Sequence, residues 1–259
     1  MAMRKTQIKK YERQIILPPI GCEGQERILE AKVLLVGLGG IGSPCALYLA
    51  AAGVGTLGIV DQDVVKISDL HRQILHSTKT LGRSKVFSAQ QRLRDLNRDV
   101  KVVAYNTKVT AENVCSIIRD YDIIVDASDN FLTRYLVNDA CVVSGKRLVH
   151  GSVFWFEGHV FTILPGKSAC YRCLFPYPVE EDRFPIYKQR GVYNIIAGMV
   201  GVLQANEVLK CILGVGKSLH GTLLFMNVLD NVFNQVTIHR DPQCKICGRL
   251  LKETKGMLK

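Results

Sequence analysis

The 259-residue sequence has no uninterrupted apolar run of the ~18 residues a helix needs to cross a bilayer. Nothing in it reads as a membrane span on that measure. Its start, MAMRKTQIKK, is basic but has no apolar stretch behind it, so it does not read as a secretory leader. There is no internal repeat. Lysine and arginine outnumber the acids 34 to 23, a formal net charge of +11. The cations are spread from end to end, with no dense basic run and no interleaved aromatic motif. That argues against DNA and for an acidic small molecule, such as a nucleotide, or an acidic protein partner. No Ser-His or Cys-His pair stands out, so covalent or general-base chemistry has no obvious home. Together these absences give a cytoplasmic reading.

What is present is a globular composition, 47% apolar, with nine cysteines. In a reducing compartment, paired thiols bind metal or do redox work. ACYRCLFP supplies Cys170 and Cys173, and DPQCKICG supplies Cys244 and Cys247; the two CxxC motifs are separated by 70 residues. Four thiolates at that spacing make a closed tetrahedral zinc site, in which each CxxC knuckle gives two ligands. The tail motif would then clamp the C-terminal segment onto the end of a hairpin. A thioredoxin-like redox pair is the rival, and two CxxC motifs fit a metal better. Cys22, Cys45, Cys115, Cys141 and Cys211 are read as small core residues.

The first half alternates strand and helix. AKVLLVGLGG (31–40), TLGIVDQD (56–63), KVVAYNTKV (101–109) and DIIVDASDN (122–130) read as strands. Residues 43–53, 83–97 and 111–120 read as the helices between them. This pattern predicts a doubly wound, mostly parallel sheet with helices on both faces. After Gly145 the pattern changes. Two hairpins, at 146–166 with its turn near Glu157-Gly158 and at 221–240, flank an amphipathic helix at 198–213. They predict an antiparallel continuation of one mixed sheet. PYPVEEDRFPIYKQR (176–190) is the candidate mobile loop.

GLGGIG fits GxGxxG at Gly37, Gly39 and Gly42, after a strand and opening a helix. Asp61 follows nineteen residues after Gly42, at the end of the second strand. In that frame the glycines let the backbone approach phosphate and the acid takes ribose hydroxyls; NAD, FAD and ATP remain open. Residues 61–86 are too long for a simple strand-to-helix link. They carry Arg72 and Lys85, cations that a leaving pyrophosphate needs, and Ser68, placed to cap a short helix. Asp126 and Asp129 end the fourth strand, at the edge where doubly wound sheets bind ligands. A carboxylate facing phosphates implies magnesium, whereas a cap for the next helix is the plainer role for Asp129.

YERQIILP, GLGGIGSP, SDLHRQIL, VDASDNFLTRYLVND, CYRCLFP and DPQCKICG, in that order, resemble the HesA/MoeB/ThiF family, prokaryotic relatives of ubiquitin-activating enzymes. The resemblance runs from about residue 10 to 250. It implies adenylation, with magnesium ATP, of the C-terminal glycine of a ubiquitin-like sulfur carrier protein ending in Gly-Gly. It also implies a homodimer and a separate sulfur donor protein. The nucleotide-site residues it implies are Gly37, Gly39, Gly40, Gly42, Asp61, Asp63, Ser68, Asp69, Arg72, Lys85, Asp129 and Asn130. Gly39 and Gly40 would lie against the nucleotide, Asp61 would hold the ribose, Arg72 and Lys85 would meet phosphates, and Asp129 would hold magnesium. Arg13 in YERQI resembles an arginine that the family sends across a dimer interface. The implied catalytic set is Arg13, Arg72, Lys85 and Asp129.

Two positions depart from the family pattern. Asp69 replaces an asparagine, which argues against it as a direct phosphate ligand. Tyr187 stands where many members carry a cysteine, and no cysteine lies between Cys173 and Cys211. A covalent carrier intermediate on that loop is therefore not expected. The resemblance also implies one adenylation domain over 1–259, with an N-terminal helical segment (1–30), a nucleotide half (31–145) and a carrier and zinc half (146–250). The rival readings are an NAD-dependent oxidoreductase, which leaves the cationic loop and the zinc knuckles unexplained, and a non-catalytic nucleotide-binding adaptor. Within the family, other acyl acceptors are alternatives, including a peptide or a modified tRNA base.

Overall fold

Short β-branched runs become the strands of one eight-stranded mixed sheet in the computed structural model, which describes residues 3–177 and 191–248. The strands are β1 (Lys32–Val36), β2 (Thr56–Val60), β3 (Lys101–Tyr105), β4 (Ile123–Asp126), β5 (Arg147–Phe154), β6 (Glu157–Ile163), β7 (Thr222–Asn227) and β8 (Val232–Thr237). Their spatial order is β3-β2-β1-β4-β5-β6-β7-β8. The first five run parallel, and β6, β7 and β8 continue antiparallel. The apolar runs 33–36 of β1 and 123–125 of β4 are buried, as central parallel strands must be.

Helices cover both faces. On one side α2 (Gly21–Glu30), α3 (Gly42–Ala52), α4 (Lys85–Leu96) and α8 (Asn194–Leu213) enclose a core around Leu35, Leu49, Ile59 and Val200. On the other, α5 (Val114–Ile118), α6 (Phe131–Val143) and α7 (Tyr171–Leu174) enclose a second core around Leu34, Ile124, Phe161 and Tyr171. The four paired cysteines belong to this second layer. The N-terminal helix α1 (Lys5–Ile15) is tied to the body by Lys10 Nζ to Asn97 Oδ1 (2.8 Å), Gln14 Nε2 to Gln25 Oε1 (2.6 Å) and Asn97 Nδ2 to Tyr11 Oη (2.8 Å).

The structure differs from the sequence reading in four places. The first hairpin turns at Trp155-Phe156, and Glu157 and Gly158 already pair with Phe154 and Val153. Gly158 serves packing and not the turn: a Cβ there would lie 2.6 Å from Val200 Cγ2 and 3.0 Å from Ile196 Cγ1. Helix α8 starts at Asn194 rather than 198 and reaches 20 residues with mean hydropathy 1.5, long and apolar enough to cross a membrane by length and composition. It is a core helix here, since Gln204 and Glu207 are buried in it and hydrogen-bonded to the sheet and the β7 approach. Cys22 and Cys115 are exposed and Cys211 half-buried, so only Cys45 and Cys141 of the five unpaired thiols are core residues. Finally, Ser68 is the middle residue of a 3-10 turn, Ile67–Asp69. The cap is made by Asp69, whose Oδ2 accepts the Lys66 N–H (2.9 Å). The proposed loop at 176–190, Tyr187 included, lies almost wholly outside the described residues.

Candidate nucleotide crevice and thiol cluster

β1 and β4 are neighbours whose crossovers leave in opposite directions, and this opens a crevice beyond their carboxyl ends. Its volume is about 780 Å³, within the usual range of ligand pockets. The glycine turn forms one wall. Gly37 has φ +93°, and a Cβ on it would lie 2.7 Å from Ala127 O; a Cβ on Gly42 would lie 2.0 Å from Gly37 O. Side chains are therefore excluded where the turn, the β4 loop and α3 meet. Gly39 has only Gln73 Nε2, at 3.9 Å, near its would-be Cβ, so its backbone faces open space.

The loop after β2 supplies the charge. Asp61 accepts from Leu38 N–H at Oδ2 (2.9 Å) and from Asp63 N–H at Oδ1 (2.8 Å). Burial pushes its carboxyl up, while Lys85 and those two amides oppose the shift. Each oxygen keeps a free lone pair for a further donor. Lys85 begins α4; it is buried, and its Nζ reaches Asp63 Oδ2 at 3.1 Å. Arg72 donates from Nη1 to Ser68 O (2.9 Å) and lies 3.7 Å from Asp69 Oδ1, with its stem against Gly40.

The crevice is lined by Gly37, Gly39, Gly40, Asp61, Asp63, Arg72, Gln73, Lys85, Asp129 and Asn130. Gly42, Ser68, Asp69 and Arg13 do not line it. Gly42 lies behind the turn. Both Asp69 oxygens are engaged, Oδ2 as the cap and Oδ1 with Gln73 Nε2 (2.9 Å), so the unusual carboxylate is neutralised in place by Arg72 and faces no ligand. Asn130, and not Asp129, caps α6, accepting the Thr133 N–H at 2.9 Å. Asp129 is exposed on the crevice wall. Asp126 is fully buried behind it and does not line the crevice. Arg13 lies on the exposed side of α1.

Several supporting residues left no sequence signal. His76 donates from Nε2 to Leu38 O (3.2 Å) and accepts from Ser88 Oγ (2.9 Å), which braces the glycine turn and fixes a neutral tautomer. Burial lowers its pKa, consistent with that state. Arg172 lies inside the CxxC knuckle yet reaches the far end of the crevice, bound to Asp139 through Nε and Nη2 (2.8 and 2.7 Å).

The thiols of Cys170, Cys173, Cys244 and Cys247 all lie within 4.8 Å of one another. Three Sγ–Sγ separations are 3.9, 3.6 and 3.4 Å. A tetrahedron with metal–sulfur bonds of ~2.3 Å has edges of about 3.8 Å, so the cluster fits a four-thiolate metal centre. The Asp241 N–H points at Cys173 Sγ (3.4 Å), a contact that favours thiolate. Hydrogen bonding among the crowded sulfurs pushes the buried Cys170 thiol up and the half-buried Cys173 thiol down.

The ThiF family profile matches residues 11–246. The sulfur carrier protein adenylyltransferase of Thermus thermophilus is 47% identical over 253 residues, 96% of this chain and 93% of its own length. The SAMP-activating enzyme E1 of Haloferax volcanii is 43% identical, over 96% of this chain and 92% of its own. The pig adenylyltransferase and sulfurtransferase MOCS3 is 45% identical, but this chain spans only 54% of its length. Among solved structures, Escherichia coli MccB with MccA-N7isoASN superposes with a TM-score of 0.81 at 22% identity, over 93% of this chain and 74% of that one, a likeness of fold. The chain belongs to the ThiF family.

Proposed function

We propose that the crevice binds ATP and that the chain adenylates the C-terminal glycine of a ubiquitin-like sulfur carrier protein, releasing pyrophosphate. The observation that carries this reading is the combination, in one crevice, of a turn that presents Gly37, Gly39 and Gly40, the cations Arg72 and Lys85, and an exposed carboxylate, Asp129. The named activities of the full-length Thermus and Haloferax relatives support it.

The reaction joins a carboxylate oxygen to the α-phosphorus, and the bond from that phosphorus to the bridging oxygen of pyrophosphate breaks. A C-terminal carboxylate has a pKa near ~3.5, so it arrives ionised and no proton need be removed. The chain's task is to align two anions and screen their charge. The Gly37–Gly40 backbone receives the phosphates. Asp61, which lines the crevice and accepts one amide N–H at each oxygen, orients the ribose. Lys85, held by Asp63, and Arg72, held by Ser68 O, offset charge on the leaving group. Asp129 is the residue suited to hold magnesium, which when bound neutralises phosphate charge. An NAD-dependent oxidoreductase would use the same turn and Asp61 but has no need of these cations.

The four-cysteine cluster would hold one structural zinc per chain, tying the C-terminal motif to α7. Metal analysis should find a single zinc. Cys247→Ser should lose it and lower the melting temperature by on the order of 10 °C, since metal-binding energy is folding energy at such a site. Four freely titrating thiols in the native protein would rule the centre out.

Mass spectrometry after reaction with carrier and ATP should show no thiol-sensitive adduct on the enzyme, because residues 174–210 contain no cysteine. A carrier–enzyme conjugate mapped to any cysteine would contradict this. The dimer, the sulfur donor and a cytoplasmic location belong to the same reading.

A further inference from the structure

Beyond the crevice wall, Asp126 is the centre of a buried clamp. It is the last residue of β4, and the sheet register sets it directly beside His150 of β5, on the face that carries Phe161 and Tyr171. His150 Nδ1 lies 2.8 Å from Asp126 Oδ2. Asp126 Oδ1 accepts both the N–H and the Oγ–H of Ser128, at 3.0 and 2.6 Å. Gln204 Nε2 donates to the Asp126 main-chain oxygen (2.7 Å), and Arg134 Nη2 to Ser128 O (3.2 Å). Ser128 is thus held on both sides of its peptide. The next residue is Asp129, followed by Asn130, which is fixed as the α6 cap.

His150 is 1% exposed and absent from the crevice lining, so it cannot touch a ligand there. Burial would raise the Asp126 carboxyl, but the hydrogen bonds from His150 and Ser128 and the charges of His150 and Arg134 hold it below its usual range, while burial lowers His150; at 2.8 Å from a carboxylate oxygen, Nδ1 is the donor of the pair. Without that N–H, a buried carboxylate oxygen loses its donor. The carboxylate must then turn toward another donor or take up a proton, and either change weakens its grip on Ser128.

We propose that His150 is a positioning residue: with Asp126 it locks the Ser128 turn and so sets the Asp129 carboxylate for a magnesium–nucleotide complex. The inference rests on the reading of the crevice as a magnesium–ATP site and identifies a residue outside the crevice that tunes it. The competing role for His150 is packing alone, among Phe161, His159 and Tyr171.

The test uses the full chain and three variants. His150→Asn places an amide N–H where Nδ1 stood. His150→Leu keeps the bulk and removes the donor. Ser128→Ala removes only the Oγ contact and guards against a folding failure of the leucine variant. Calorimetric ATP binding in MgCl2 and in EDTA separates the metal-dependent part of affinity. Outer partners of metal ligands typically alter metal affinity by 10–100-fold, so His150→Leu should lose about tenfold of ATP affinity in MgCl2 and little in EDTA. Ser128→Ala should shift the same way, and His150→Asn should stay near wild type. Hydrogen exchange over residues 126–131 reads the clamp without any ligand: protection should fall in His150→Leu and hold in His150→Asn. Equal affinity losses in MgCl2 and EDTA, or unchanged protection in both His150→Leu and Ser128→Ala, would overturn the proposal. If wild type binds ATP no better with magnesium than without, the magnesium reading of the crevice fails, and the exchange data alone still judge the clamp.

Discussion

Asp129→Ala should abolish carrier-dependent exchange of pyrophosphate into ATP while leaving the fold and the proposed zinc content unchanged. The expectation follows from where the residue lies. It is exposed on the crevice wall, and the capping role that a carboxylate near a helix start often has is taken by Asn130. An exposed substitution away from such contacts changes stability by within about 0.5 kcal/mol, so the melting temperature should scarcely move. The rate behaves differently. The reaction brings a carboxylate to a polyanion with no base to help, and preorganised charge compensation is the main source of acceleration. Removing one such group costs about 10²–10³-fold, and loss of Asp129, the proposed magnesium ligand, belongs at or beyond the upper end. Thermal melting and zinc content establish that the variant is folded, and radiolabelled pyrophosphate exchange measures the loss. An Asp129→Ala enzyme with more than a tenth of wild-type exchange would remove Asp129 from the metal site.

Arg13→Ala should be as inactive as Asp129→Ala, yet a mixture of the two should recover. Arg13 is exposed on α1 and does not line the crevice of its own chain. α1 is also fastened to the body through Tyr11, Gln14 and Lys10, which opposes a swing toward that crevice. We propose that its guanidinium enters the crevice of a second copy in a twofold dimer. An arginine supplied in trans to phosphoryl transfer is worth about 10³–10⁵-fold in rate, so the pure variant should be nearly dead. Unfolding and refolding the two variants together makes half the dimers hybrid. In each hybrid one site carries both lesions and the other carries neither, so activity should return to roughly a quarter of wild type. If Arg13 is only a surface residue, its alanine variant is active from the start. If both variants are dead and confirmed hybrids stay dead, Arg13 acts within its own chain.

Legibility in the sequence followed the range of the interactions. The β1–turn–α3 unit was readable because its constraint is local: Gly37 must take a positive φ and Gly42 must approach it, within six residues. The thiol cluster was readable across 70 residues because each CxxC is itself a local knuckle and only cysteine serves. The parallel-to-antiparallel change was readable from the shift to hairpin patterning after Gly145. Contacts created by register were not. Asp126 and His150 meet only because β4 and β5 pair in one particular alignment, and nothing near either residue in the chain announces it. What Asp69 does instead of meeting phosphate was not readable, because its partners, the Lys66 amide and the Gln73 side chain, depend on the tight 3-10 turn. Gly158 resembled a turn residue, whereas its small size is required by Val200 and Ile196 of a helix about forty residues away.

Isotope exchange between pyrophosphate and ATP in the wild-type enzyme tests the central claim most directly, with a Gly-Gly-terminated ubiquitin-like carrier, magnesium and an NAD-binding control in the same preparation. The account predicts exchange that requires both carrier and magnesium, is lost when the carrier's terminal glycine is removed, and is accompanied by no NAD binding. Micromolar NAD binding with no ATP binding and no exchange would contradict it and return the crevice to oxidoreductase chemistry.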